Sequence, residues 1–89
     1  MVVIVLENAS EKLRGLITRW LIETKPGVFV GSVSAIVREK LWEVVEEETP
    51  KGALLIYSYN NEQGYRIEML GEPRRSLVDL DGLQLIKRQ

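Results

Sequence analysis

The chain reads as an α+β sandwich, with two helices on one face of a mostly antiparallel sheet. Three observations predict it: an unbroken β-branched run at Val2–Leu6, two amphipathic stretches with helical spacing, and two strand-like runs joined by a loop of hairpin length around Asn60. With 89 residues, 45% of them apolar and 28% charged, there is material for one packed core and not for two.

Val2-Val3-Ile4-Val5-Leu6 lacks polar alternation, so it is expected to be a central strand buried on both faces. Asn8-Ala9-Ser10-Glu11 has the form of a capping box with Asn8 as N-cap and Glu11 reaching back; Ser10 is the alternative cap. Leu13, Leu16, Ile17, Trp20 and Leu21 then form one apolar stripe, predicting a helix that runs on until Pro26-Gly27 stops it. Val28-Phe29-Val30 is a short strand ended by Gly31.

Ser32 or Ser34 caps a second helix extending to about Glu48, with Val33, Ile36, Val37, Leu41, Val44 and Val45 on one side. Thr49-Pro50-Lys51-Gly52 terminates it. Ala53–Tyr59 and Tyr65–Leu70 are strands joined by Asn60-Asn61-Glu62-Gln63-Gly64, whose glycine closes the loop. The second strand alternates, Tyr65, Ile67 and Met69 facing one way and Arg66, Glu68 and Leu70 the other. Gly71-Glu72-Pro73 breaks it, and Leu83-Gln84-Leu85-Ile86 is a final apolar segment.

A ferredoxin-like sandwich is the closest topology, although its strict form needs one more strand before the second helix, where only Val28–Val30 is available. Residues 1–82 then form the core domain with its basic turn, and residues 83–89 a C-terminal strand or arm for docking a partner. An exposed sheet face and that arm are what a homodimer or a larger partner would cover.

Composition removes several chemistries. There is no cysteine and no histidine, so disulfides, thiolate nucleophiles, serine–histidine triads and cysteine- or histidine-ligated zinc are excluded. Any reaction must run on carboxylates helped by lysine, tyrosine or a hard cation. The apolar run at the N-terminus is too short for a secretion signal or a membrane span, and the expected location is the cytoplasm.

A net charge of −1 excludes a uniformly basic coat but permits a local patch. Lys12 and Arg14 fall in the opening turn of the first helix, where the helix dipole disfavours cations. They mark either a phosphate site or a turn neutralised by Glu7 and Glu11. Arg38 has Glu39 beside it and Glu43 within helical reach, so ion pairing competes with phosphate contact there. Arg74-Arg75 follows Pro73 with few acidic neighbours. Trp20, Trp42 and the tyrosines Tyr57, Tyr59 and Tyr65 are read as core or interface residues, and Asp79-Leu80-Asp81 as a solvated turn.

Taken in order, Glu7-Asn8, Leu13-Arg14-Gly15, Gly27-Val28-Phe29-Val30-Gly31, Val33-Ser34-Ala35, Arg38-Glu39, Asn60-Asn61, Arg74-Arg75 and Val78-Asp79-Leu80-Asp81-Gly82-Leu83 resemble the CRISPR-associated protein two family in its type I-E form. The resemblance covers nearly the whole chain. It implies a ferredoxin-like homodimer of the antiviral spacer-acquisition (adaptation) complex, bridging CRISPR integrase dimers and holding the backbone of double-stranded prespacer DNA. Its DNA contacts carry over onto Lys12, Arg14, Arg38, Arg74 and Arg75, and its docking strand onto Leu83, Leu85 and Ile86. Folding back of that segment, or its exchange between protomers, would look the same in sequence.

Many relatives in the wider family are described as metal-dependent endonucleases that use an aspartate at the end of the first strand. The matching residue here is Glu7, which the resemblance makes the candidate catalytic and magnesium-binding residue. The pattern departs from the family at that point: Glu7 is one methylene longer, is followed by Asn8, and has no second acid in its segment. Two readings therefore stand, a non-catalytic scaffold needing no cofactor and an endonuclease using Mg2+ at Glu7.

Overall fold

In the computed structural model, residues 1–48 and 51–71 are described. They form β1 (Val2–Glu7), α1 (Glu11–Ile17), β2 (Ile22–Lys25), β3 (Val28–Gly31), α2 (Ala35–Glu48), β4 (Gly52–Ser58) and β5 (Tyr65–Gly71). All strand pairs are antiparallel, in the order β2-β3-β1-β4-β5. The first four strands with their two helices make the ferredoxin-like sandwich, and β5 extends the sheet beside β4.

The strand that sequence spacing did not supply is β2. Leu13 and Ile17 are buried on α1 as expected, but the helix closes at Thr18, whose N–H donates to the Arg14 carbonyl at 3.0 Å and whose hydroxyl donates to the Gly15 carbonyl. Ile22 and Glu23 then pair with Val30 and Phe29. Helical spacing through Trp20 and Leu21 is thus overridden by sheet pairing, as nonlocal contacts commonly override weak local preference. Off the helix, the two residues part company: Leu21 is buried and Trp20 is 53% exposed.

Pro26-Gly27 is a hairpin turn rather than a helix stop. Proline presets one turn residue and Gly27, at φ +82°, takes the left-handed one. A Cβ there would meet the Leu6 carbonyl oxygen at 2.6 Å, while the Leu6 N–H donates to the Gly27 carbonyl at 2.8 Å. The turn is therefore pressed against the end of β1.

The cap of α1 is Ser10, whose hydroxyl accepts from the Leu13 N–H at 3.1 Å; Asn8, the other expected cap, instead turns the chain with φ +57°. At α2, Ser34 accepts from the Val37 N–H. The stripe that α2 buries is Leu41, Trp42 and Val45, with Val37 and Val44 at its margin. Ile36, expected on that stripe, lies on the opposite side and is 69% exposed, because it is out of phase with Leu41 and Val45 at 100° per residue.

The core lies between the helices and one face of the sheet, around Ile4, Leu13, Ile17, Phe29, Val45 and Leu55. Along β1, Val2, Ile4 and Leu6 point into it, whereas Val3, Val5 and Glu7 face the other way and are half-buried. β1 is central as expected, but only one of its faces is fully buried. The β4–β5 hairpin matches expectation closely: Gly64, at φ +89°, closes the loop, and its N–H donates to the Asn61 side-chain oxygen at 2.7 Å.

Candidate nucleic-acid interface

The expected contact residues fall at two ends of the sheet, separated by the length of β1, about 20 Å at 3.3 Å per residue. Where β1 finishes lie Glu7, Lys12 and Arg14, together with the end of α2. Where β1 begins lie Arg38, near the start of α2, and the β4 residue Tyr57, which pairs with Val2. One protomer therefore does not gather these cations into one patch.

At the first end, Arg14 donates to the Glu23 carboxylate at 2.7 Å, and the same oxygen accepts from the Gly27 N–H at 2.9 Å. The Gly27 amide above all, and then the Arg14 guanidinium, hold the Glu23 carboxyl below its usual range against the opposing effect of desolvation. Arg14 thereby ties α1 to the β2–β3 turn. Its side chain keeps 40% exposure and borders a polar hollow lined by Asn8, Ala9, Pro26 and Gly27.

Among the described residues, Lys12 is the most accessible of the expected contacts, with its side chain 85% exposed and a long 3.8 Å approach to Glu48. Such a pair is worth little in water. The acids that approach these cations are Glu48, beside Lys12, and Glu23, beside Arg14, both distant in sequence. Glu7 ends β1, half-buried, on the sheet face away from the helices.

At the second end, Arg38 occupies the buried side of α2, in phase with Leu41, Trp42 and Val45 at i+3, i+4 and i+7. Its side chain is 17% exposed, its guanidinium lies 3.8 Å over the Tyr57 ring, and its approach to Glu39 is 3.8 Å. Tyr57 packs edge-on against Tyr59, with ring centroids 6.2 Å apart, and Arg66 lies 4.6 Å over the Tyr59 ring. The Tyr57 hydroxyl donates to Glu68 at 3.0 Å; burial, then this bond to a carboxylate, raise its pKa.

Sequence reading did not mark Glu23, Arg66 or Glu68. Arg66 and Glu68 carried one usable signal, their alternation with Tyr65 and Ile67, which puts both on one face of the strand; the β4–β5 register makes it the face of Tyr57. Arg74, Arg75, Leu83, Leu85 and Ile86, and the Asp79-Leu80-Asp81 segment, lie outside the described residues.

Among the described residues, no group of three or more acidic side chains is placed to hold a metal ion. Glu7 contributes one carboxylate per chain, and hard divalent cations require more oxygen ligands than that. A second copy supplying its own Glu7 would double the set. No helix among the described residues is long and apolar enough to cross a membrane.

The described residues thus form a five-stranded antiparallel sheet under two helices, with cations on fixed elements at both ends. The family model described as CRISPR-associated protein (Cas_Cas2CT1978) matches residues 1–85, and the chain belongs to this Cas2 family of CRISPR-associated proteins.

Proposed function

We propose that the protein is a non-catalytic homodimeric scaffold of the CRISPR spacer-acquisition complex, bridging integrase dimers and binding the backbone of prespacer duplex DNA. The observation that carries this reading is the sheet face opposite the helices. Val3, Val5, Val30, Ile56 and Ile67 lie on it, half-buried, and Ile22 beside them is 71% exposed. A second copy packed there would remove apolar surface from water and fix two sets of cations about a two-fold axis.

Such a body suits contacts to phosphates at a set separation, which position a duplex without reading its bases. Lys12, Arg14 and Arg38 would serve it on each protomer, joined by Arg74 and Arg75, and the Leu83–Ile86 segment would dock on the integrase. The location that goes with this role is the cytoplasm.

One observation favours the second reading, a Mg2+-dependent endonuclease: Glu7 shares the open face with Val3 and Val5, so a two-fold across that face would bring two carboxylates toward one another. Mg2+ held there would polarise a phosphodiester and activate water. Insertion of a short duplex by the integrase, with and without this chain, separates the two. The scaffold reading expects insertion to require the chain and to survive Glu7→Gln; loss of insertion together with metal-dependent cleavage in Glu7→Gln supports the nuclease.

A further inference from the structure

We propose that Arg38 and Arg66 form a paired phosphate clamp, in which Arg66 is a duplex-backbone contact that the sequence did not mark. This rests on the reading of the protein as a backbone-binding scaffold and names a further part of its interface.

The two guanidinium groups share an unusual setting. Each lies over a tyrosine ring, Arg38 on Tyr57 and Arg66 on Tyr59, and the two rings are locked edge to face. Neither guanidinium donates a hydrogen bond to any described residue, and the one ion pair between them is the 3.8 Å approach of Arg38 to the exposed Glu39. Stacking fixes the plane of a guanidinium while leaving its N–H edge free, which is the geometry a phosphate accepts in bidentate fashion.

Topology puts both on one side of the sheet. Arg66 is the β-pair partner of Tyr57, so it projects from the same face as the ring that carries Arg38. Glu68, two residues on, is the acid that would neutralise them. It instead accepts the Tyr57 hydroxyl and makes no ion pair with either arginine. The bond aligns the ring and directs one carboxylate oxygen to Tyr57; Glu68 keeps its charge but forms no ion pair with Arg38 or Arg66, so their N–H donors are not taken up by it.

The ligand chemistry follows from the spacing of the two sheet ends. A free phosphate or a peptide carboxylate would satisfy one end only. A regular polyanion such as a DNA duplex meets Arg38 and Arg66 at one end and Lys12 at the other, about 20 Å away.

The test uses the full-length protein and two labelled duplexes of unrelated sequence, with affinity followed between about 50 and 200 mM salt. Arg66→Gln is expected to weaken both duplexes alike and to lower the slope of log affinity against log salt by about 1 for each protomer engaged, while Arg66→Lys keeps the slope. Circular dichroism checks that the variant is folded. An unchanged slope in Arg66→Gln overturns the clamp, and if Lys12→Gln still lowers it, the scaffold reading survives. Absence of salt-dependent binding by the unmodified protein removes both. Binding of a polyglutamate peptide as tight as that of the duplexes also overturns the clamp, since a generic polyanion would then suffice.

Discussion

The two ends of the sheet use arginine in opposite ways. At the end where β1 finishes, Arg14 meets the Glu23 carboxylate at 2.7 Å, and the pair closes over the Gly27 amide. At the end where β1 begins, Arg38 and Arg66 are oriented by aromatic rings and keep their donors. A carboxylate fixes a guanidinium by consuming its charge, whereas a ring fixes it and leaves the charge to act outward. Arg14 is held through a carboxylate while Lys12 beside it stays 85% exposed, and the two arginines at the other end are held through rings, so the residues that fix the fold are separate from those that present charge.

Substitutions at each end should break this contrast in different observables. The largest effect is expected from Gly27→Ala, which forces an L side chain into φ +82° and against the Leu6 carbonyl at 2.6 Å. A loss of about 2–3 kcal/mol in urea unfolding is expected, from backbone strain plus displacement of the turn. Tyr57→Phe comes next. It removes the bond to Glu68 but leaves the ring under Arg38, so stability should fall by about 0.5–1.5 kcal/mol in the same assay. Freed from Tyr57, Glu68 should then compete for Arg66, and duplex affinity should drop.

A smaller effect is confined to acid. The Glu23 carboxyl is held below its ordinary value of 4.5, so its contribution is fully present above that pH and is lost as the pH falls through the lowered folded value. Glu23→Gln should flatten this part of the stability profile, measured as urea midpoints from neutral pH downward. Smallest of all, Lys12→Ala should change stability by less than about 0.5 kcal/mol, because its 3.8 Å pair is solvated. If Lys12→Ala destabilises as much as Gly27→Ala, Lys12 holds the fold and is not a cation presented to solvent.

Much of the fold was legible because it is written in local patterns. The β-branched run of β1, the second helix, and the Asn61–Gly64 loop all form where spacing and turn chemistry put them. β2 was not legible, for two reasons. Trp20 and Leu21 continue the apolar spacing of α1, and Pro-Gly serves equally as a helix stop and as a hairpin turn. Pairing of Ile22 and Glu23 with β3 settles the matter, and it is a nonlocal contact.

The interface divides in the same way. The phase of Arg38 with Leu41, Trp42 and Val45 was present in the sequence and accounts for its burial. Its tyrosine partner, 19 positions away on another element, was not. Glu23 was hidden as the partner of Arg14 because a continuous helix would have kept the two apart; only the turn at Pro26-Gly27 folds β2 back to bring its carboxylate under the guanidinium.

The most direct measurement is the salt dependence of duplex affinity for the full-length protein on two unrelated sequences. About five backbone contacts on each of two protomers predict one shared slope of about −9 or steeper in log affinity against log salt. A slope near zero, or slopes and affinities that differ between the two sequences, would contradict a protein that holds DNA by its phosphates.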